Sequence, residues 1–273
     1  MYIINLSGEK ELFSRQKVYK SARRVGASKN LAQKISETIE KEAYPDMKTM
    51  DIFMKVKKML SKKSPNLSLK FSLKVAMRKL GPSGFLFEKY IGRVFSSMGF
   101  NVKLNQHPYG KCLKYEIDFF AQKNNLFYIG ECKYRNLSEG KVHSNVVLAN
   151  YARFLDLSKG SLKIHNPKTI VVTNTKFTKA AIKYSQCVGA DLMGWNYPKK
   201  RGLEYFIDSL KLYPITILPS FKKSLYSVFV LRKIILAKDL LRIDALKFSK
   251  QNNIPLKYIE KIIKEAKTLC LTN

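Results

Sequence analysis

Asp118, in Tyr115-Glu116-Ile117-Asp118-Phe119-Phe120, and the pair Glu131 and Lys133, closing Asn125-Leu126-Phe127-Tyr128-Ile129-Gly130-Glu131-Cys132-Lys133, are the residues best suited to chemistry. The first run alternates polar and apolar side chains and predicts a half-buried strand. The second is a short apolar run ending in charges. Alternate residues of a strand share a face, so Glu131 and Lys133 point one way and Cys132 the other, while Glu116 sits with Asp118. The stretch 122–125, Gln-Lys-Asn-Asn, suits a hairpin turn. Pairing the two strands gathers Asp118, Glu131 and Lys133 at one edge of a sheet. Such a trio suits phosphodiester hydrolysis. Mg²⁺ prefers one or two carboxylates plus water and phosphate oxygen. A divalent ion orients and acidifies water, and a lysine can position that water or neutralise developing charge. The same spacing also fits a surface hairpin with an ordinary cross-strand ion pair.

The elements around the trio have a definite order. Gly84-Phe85-Leu86-Phe87-Glu88-Lys89-Tyr90-Ile91-Gly92-Arg93-Val94-Phe95 reads as a helix, followed by a turn and strand at Gly99-Phe100-Asn101-Val102. After the trio come Thr169-Ile170-Val171-Val172-Thr173 as a strand, Ala180-Ala181-Ile182-Lys183-Tyr184-Ser185 as a helix and Ala190-Asp191-Leu192-Met193-Gly194-Trp195 as a short strand. In this order the stretch 82–195 resembles the Mrr-like restriction endonuclease branch of the PD-(D/E)xK nuclease superfamily. The resemblance implies an α/β (α+β overall) fold, with a restriction-endonuclease-like mixed sheet flanked by helices. It implies Asp118 and Glu131 as ligands of Mg²⁺ or Mn²⁺, with the backbone carbonyl of Cys132 as a third. Lys133 is then catalytic, and Glu88 is either an auxiliary carboxylate or part of a solvated helical face.

The first eighty residues carry a different pattern. Tyr2-Ile3-Ile4-Asn5-Leu6 reads as a strand and Ser7-Gly8 as a turn. Ser14, Ser28 and Thr49 are each placed to cap a helix. A further helix runs through Leu69, Leu73, Ala76, Met77 and Leu80 to Gly81-Pro82. Ser7-Gly8-Glu9, Glu11, Phe13, Lys17-Val18, Ser21 and Met47-Lys48-Thr49-Met50-Asp51-Ile52 resemble an ATP-cone, a mostly helical nucleotide-binding domain. On that pattern Glu11, Lys17, Val18 and Thr49 approach ATP or dATP. Lys17 would offer a compact charge to phosphate, and Thr49 a hydroxyl at a helix N-terminus. Two departures stand out: Asn5 replaces a usual basic residue, and Lys70-Phe71 replaces a usual Arg-Tyr pair. The residues alone fit a four-helix packing or DNA-binding module as well. No Gly-rich Walker loop is present, so ATP hydrolysis here is not indicated.

Lys and Arg total 51 against 20 Asp and Glu, a net charge of +31 spread along the chain. Such a surplus attracts phosphate backbones, although a lysine-rich composition alone produces it too. No apolar run is long enough to cross a bilayer, and the N-terminus lacks a signal-peptide pattern. The scattered Cys112, Cys132, Cys187 and Cys270 read as reduced, mostly buried thiols of a cytoplasmic protein. His107, His143 and His165 form no ligand pattern. Beyond a basic stretch at 196–202, short helices are expected, one capped by Ser220 and the last begun by Pro255. They either grip DNA, cover the sheet or mediate dimerisation. The expected division is 1–81 nucleotide-binding, 82–198 nuclease-like and 199–273 a basic helical segment. The expected activity is a metal-dependent endonuclease acting on double-stranded DNA as a homo-oligomer, with nucleotide regulation. The alternatives are a non-cleaving nucleic-acid-binding protein and a nucleotide-sensing regulator.

Overall fold

The computed structural model describes residues 1–81, 84–136, 140–160, 164 and 166–271; Pro82, at the expected domain boundary, and His165 lie outside them. Two compact units emerge, one of Met1–Met77 with Ile215–Asn273 and one of Arg78–Pro214. The first unit opens with β1 (Tyr2–Ile4) antiparallel to β2 (Lys10–Leu12). Then come α1 (Arg15–Arg24), α2 (Lys29–Glu42), α3 (Thr49–Lys63), α4 (Pro65–Phe71) and α5 (Leu73–Arg78). Ser14 and Ser28 cap α1 and α2 by accepting from the Lys17 and Leu31 amides. Thr49 does not cap: Lys48 holds that position, and Thr49 is the first residue of α3. The single helix expected through Leu80 is broken at Ser72, whose hydroxyl donates to the Ser68 carbonyl at 3.1 Å. Ser and Thr hydroxyls compete with helical hydrogen bonding in this way. Val18, Ala22, Ile35, Ile39, Val56 and Leu60 form the core.

The second unit starts with α6 (Phe85–Ser97), β3 (Asn101–Gln106), β4 (Ile117–Lys123) and β5 (Leu126–Lys133). It continues through β6 (Lys141–Val142), α7 (Ser144–Ser158), β7 (Lys168–Thr173) and β8 (Lys176–Phe177), then α8 (Lys179–Val188), β9 (Asp191–Met193) and α9 (Leu203–Ser209). Its main sheet has the order β3-β4-β5-β7-β9. The β3-β4-β5 part is antiparallel, and β7 and β9 are added in parallel. Asn124 makes the β4–β5 turn at φ 51°, a conformation Asn tolerates. Phe119 and Phe120 send their rings to opposite faces. Phe119 meets Phe95 of α6 at 4.9 Å between centroids, and Phe120 clusters with Leu157 of α7. The sheet is therefore mixed and flanked by helices.

The chain then returns to the first unit with α10 (Tyr226–Leu231), α11 (Ala245–Asn252) and α12 (Leu256–Leu271). The stretch 215–273 joins 1–77 rather than standing alone; the Thr216 hydroxyl donates to the Ala76 carbonyl at 2.8 Å. Ser220 caps no helix. Its hydroxyl and amide both bind Glu265 of α12, at 2.6 and 3.1 Å, because a carboxylate offers the stronger acceptor. Pro255 lies one residue before α12. Of the cysteines only Cys132 is buried; Cys112 and Cys187 are exposed and Cys270 is intermediate. Among the described residues no helix is long and apolar enough to cross a membrane.

Candidate active site

The site lies where two strands part. Phe119 opposite Gly130 is the last β4–β5 rung before Asp118 and Glu131, while Glu131, Cys132 and Lys133 remain paired to β7. The Cys132 amide on the β4 side therefore needs another acceptor. Asp118 supplies it, accepting at 2.6 Å through Oδ2. A strand residue's N–H and C=O point to the same edge, so the Cys132 carbonyl also faces this opening. Glu131 and Lys133 share a face, with Lys133 Nζ 3.2 Å from Glu131 Oε1. The Cys132 side chain turns away and is buried, which holds its thiol protonated, well above the usual range. Asp118, Glu131, Cys132 and Lys133 line one cavity of about 360 Å³, together with Glu88 from the first turn of α6.

The carboxylates act on one another. Burial, then the charge of Glu131, pushes the Asp118 carboxyl up to about 7, against the opposing Cys132 amide. Glu88 is raised by burial, then by Glu116 and Glu131, with Lys133 opposing. A cation placed here would relieve this repulsion. Two carboxylates and a carbonyl fit a hard ion that keeps several waters, as Mg²⁺ does. Among the described residues no three His, Cys, Asp or Glu side chains group closely enough to hold a metal by themselves.

Neighbouring residues fix the frame. Arg153 of α7 donates to Glu131 Oε2 at 2.6 Å, so both oxygens of that carboxylate meet a cation. The Thr173 hydroxyl donates to the Lys133 carbonyl at 2.6 Å. Asn174 brackets Arg135, accepting from its amide at 2.8 Å and donating to its carbonyl at 2.7 Å. These bonds hold the end of β5, and with it the base of the Lys133 side chain. His143 is an exposed residue just before α7 and makes no side-chain capping bond.

In the first unit, Glu11, Lys17, Val18 and Thr49 line one cavity of about 180 Å³. Phe71 joins its wall, stacked on Phe53 at 5.0 Å, where the expected pattern has a tyrosine. Lys17 Nζ lies 3.2 Å from Glu11 Oε2. Asn5 serves the turn instead of a ligand, its Oδ1 accepting from the Ser7 and Glu9 amides.

The family model described as AF1548-like, C-terminal, matches residues 213–270. An uncharacterized protein of Archaeoglobus fulgidus is 39% identical over 130 residues, 47% of this chain and 71% of that protein. The crystal structure of AF1548, a protein of unknown function, aligns at 31% identity with a TM-score of 0.59, covering 69% of this chain and 98% of that one. This chain belongs to the AF1548-like family.

Neither relative's name states an activity, so for this AF1548-like chain the residues must carry the functional argument. Arg153 is the site residue that sequence reasoning missed. It lies 22 positions after Glu131 on a helix with no motif around it, and only the crossing of α7 over the sheet brings the two together.

Proposed function

We propose that this AF1548-like protein is a metal-dependent endonuclease that hydrolyses double-stranded DNA, with a nucleotide-binding module in its first unit. The observation that carries the reading is the convergence of Asp118, Glu131, Lys133 and Glu88 on one cavity at the open end of a strand ladder. Asp118 and Glu131, with the Cys132 carbonyl, would hold Mg²⁺ or Mn²⁺, which supplies Lewis acidity and a more acidic bound water. Lys133 borders the same cavity and places an ammonium where negative charge grows on the phosphate. Arg153 exchanges Glu131 for a phosphate oxygen, which its planar fork suits. Glu88 accepts a proton from water or orients it. The net charge of +31 supports a polyanionic substrate, and the thiols fit a reducing cytoplasm.

A second observation supports nucleotide binding: Glu11, Lys17, Val18 and Thr49 share a cavity. At about 180 Å³ it is below the roughly 300 Å³ where ligand pockets begin. A base and ribose would seat there only in part, with phosphates outside along Lys17. Nucleotide occupancy would then regulate cleavage.

The decisive experiment is nicking of supercoiled plasmid in Mg²⁺ or Mn²⁺, with and without ATP and dATP. The parent should nick, and Asp118→Asn and Lys133→Ala should lose at least a hundredfold in rate while still binding DNA. A parent that binds but never nicks would favour the non-cleaving alternative.

A further inference from the structure

Between β3 and β4 the chain makes a small hairpin whose tip carries Tyr109, Lys111, Leu113 and Lys114. Tyr109 and Lys114 bridge its two arms, and the Gly110 amide donates to the Leu113 carbonyl at 2.7 Å. Leu113 is 62% exposed and Tyr109 59%. Single exposed apolar residues are ordinary; this pair differs in how it is held. The carboxylate of Asp156, on α7, accepts from the Cys112 amide at 3.0 Å and the Leu113 amide at 3.3 Å. The Asp156 carbonyl accepts from the Lys111 amide at 3.1 Å, and the Tyr115 ring lies with the same carboxylate beside Gly110. Gly110 is needed for this closeness: a Cβ there would lie 2.1 Å from Asp156 Oδ2. Exposed apolar groups are thus presented on a fixed backbone.

Their position relates to the candidate site. Asp118 follows the hairpin directly. Asp156 lies one helical turn beyond Arg153, on the same face of α7. One helix therefore grips the hairpin and reaches Glu131. Tyr115 links the two, its ring 6.0 Å from the Arg153 guanidinium. The tip is basic: Lys114 Nζ sits 5.1 Å from the Tyr109 ring, and Lys111 and Lys159 act electrostatically on Cys112.

We propose that this hairpin is a DNA wedge: Lys111 and Lys114 seat on backbone phosphates, and Leu113 and Tyr109 enter between base pairs beside the phosphate to be cleaved. The proposal rests on the nuclease reading for its substrate. Leucine is a residue that groove-binding proteins insert between base steps, aromatic rings stack on bases, and lysines meet phosphates.

The test uses the full chain, a random-sequence duplex and EDTA, so that binding is read without cleavage. Tyr109→Ala with Leu113→Ala should weaken duplex binding at least tenfold, leave the salt dependence unchanged and leave the melting curve in place. Lys111→Ala with Lys114→Ala should reduce the slope of log K against log salt by about 1.8, at about 0.9 per phosphate contact. Leu113→Trp should report insertion as quenching on DNA addition, against the buried Trp195. Unchanged affinity in the Tyr109/Leu113 variant, or no quenching, overturns the wedge. Failure of the parent to nick plasmid while these binding effects persist overturns the nuclease reading alone.

Discussion

Arg153 Nη1 lies 2.6 Å from Glu131 Oε2, on the opposite side of that carboxylate from Lys133. Both partners are substantially buried, with side-chain exposures of 27% and 12%. A divalent ion seeking Glu131 must displace or share this guanidinium. Arg153→Ala should therefore bind Mn²⁺ more tightly, by roughly tenfold or about 1.4 kcal/mol. On the proposed reading, in which Arg153 passes to a phosphate oxygen, the variant's single-turnover nicking rate at saturating metal should fall at least tenfold. Titration calorimetry with Mn²⁺ reads the first effect and plasmid nicking the second. Unchanged Mn²⁺ affinity would show that the ion pair does not compete with metal.

Asp118 sets the pH response. Its carboxyl is raised from 3.8 to about 7 by burial and by Glu131. The folded protein therefore holds a proton that the unfolded chain releases above 3.8. The stabilising contribution is complete below 3.8 and is lost as pH rises through the window to about 7. Metal binding at Asp118 would have the opposite sign, because an ion would require the ionised carboxylate. Without metal, stability should fall between pH 4 and 7. Mn²⁺ affinity should rise about tenfold per pH unit up to about 7 and then level off. Chemical denaturation and Mn²⁺ titration across this range check both slopes, and Asp118→Asn should flatten both. A parent with a flat Mn²⁺ profile would rule out Asp118 as the group exchanging its proton for metal.

Gly130 tests whether the parting of the strands depends on packing. A Cβ at Gly130 would fall 2.1 Å from the fully buried Phe119 ring, which lies across the rung next to Asp118. Gly130→Ala should destabilise the protein by about 1–3 kcal/mol, the usual cost of overpacking. Nicking should fall as the rung shifts. Adding Phe119→Leu, which makes room, should restore part of the stability in urea denaturation. Full stability of Gly130→Ala would mean that the ring moves aside without cost.

The strand pair was legible because its information is local. Side-chain parity put Lys133 on the Glu131 face, and the stretch 122–125 contains the Asn124-Asn125 turn that joins the strands. The Ser14 and Ser28 caps were local in the same sense. Arg153 and Asp156 were not legible, because their partners depend on the angle at which α7 crosses the sheet. The union of 215–273 with 1–77 was hidden for a similar reason: Thr216 meets Ala76 across 140 positions, and no periodicity encodes that contact. Ser220 misled because a hydroxyl has several possible partners. Sequence places the residue, but tertiary structure decides which acceptor is nearest.

Lys17 decides the role of the cavity in the first unit. Its ion pair with Glu11 is exposed, with side-chain exposures of 68% and 37%, and pairs of that kind contribute about 0–1 kcal/mol. Lys17 can therefore leave Glu11 for a phosphate at little cost. Lys17→Ala should leave folding stability within about 0.5 kcal/mol of the parent, as exposed substitutions do, while weakening dATP and ATP binding at least tenfold. Lys17→Arg keeps the charge and should recover much of that affinity. Calorimetric titration of the full chain with each nucleotide measures both variants. No heat with any nucleotide in the parent, or equal affinity in the parent and Lys17→Ala, would remove nucleotide binding from this cavity. Plasmid nicking by the same variants would then show whether cleavage depends on the first unit at all.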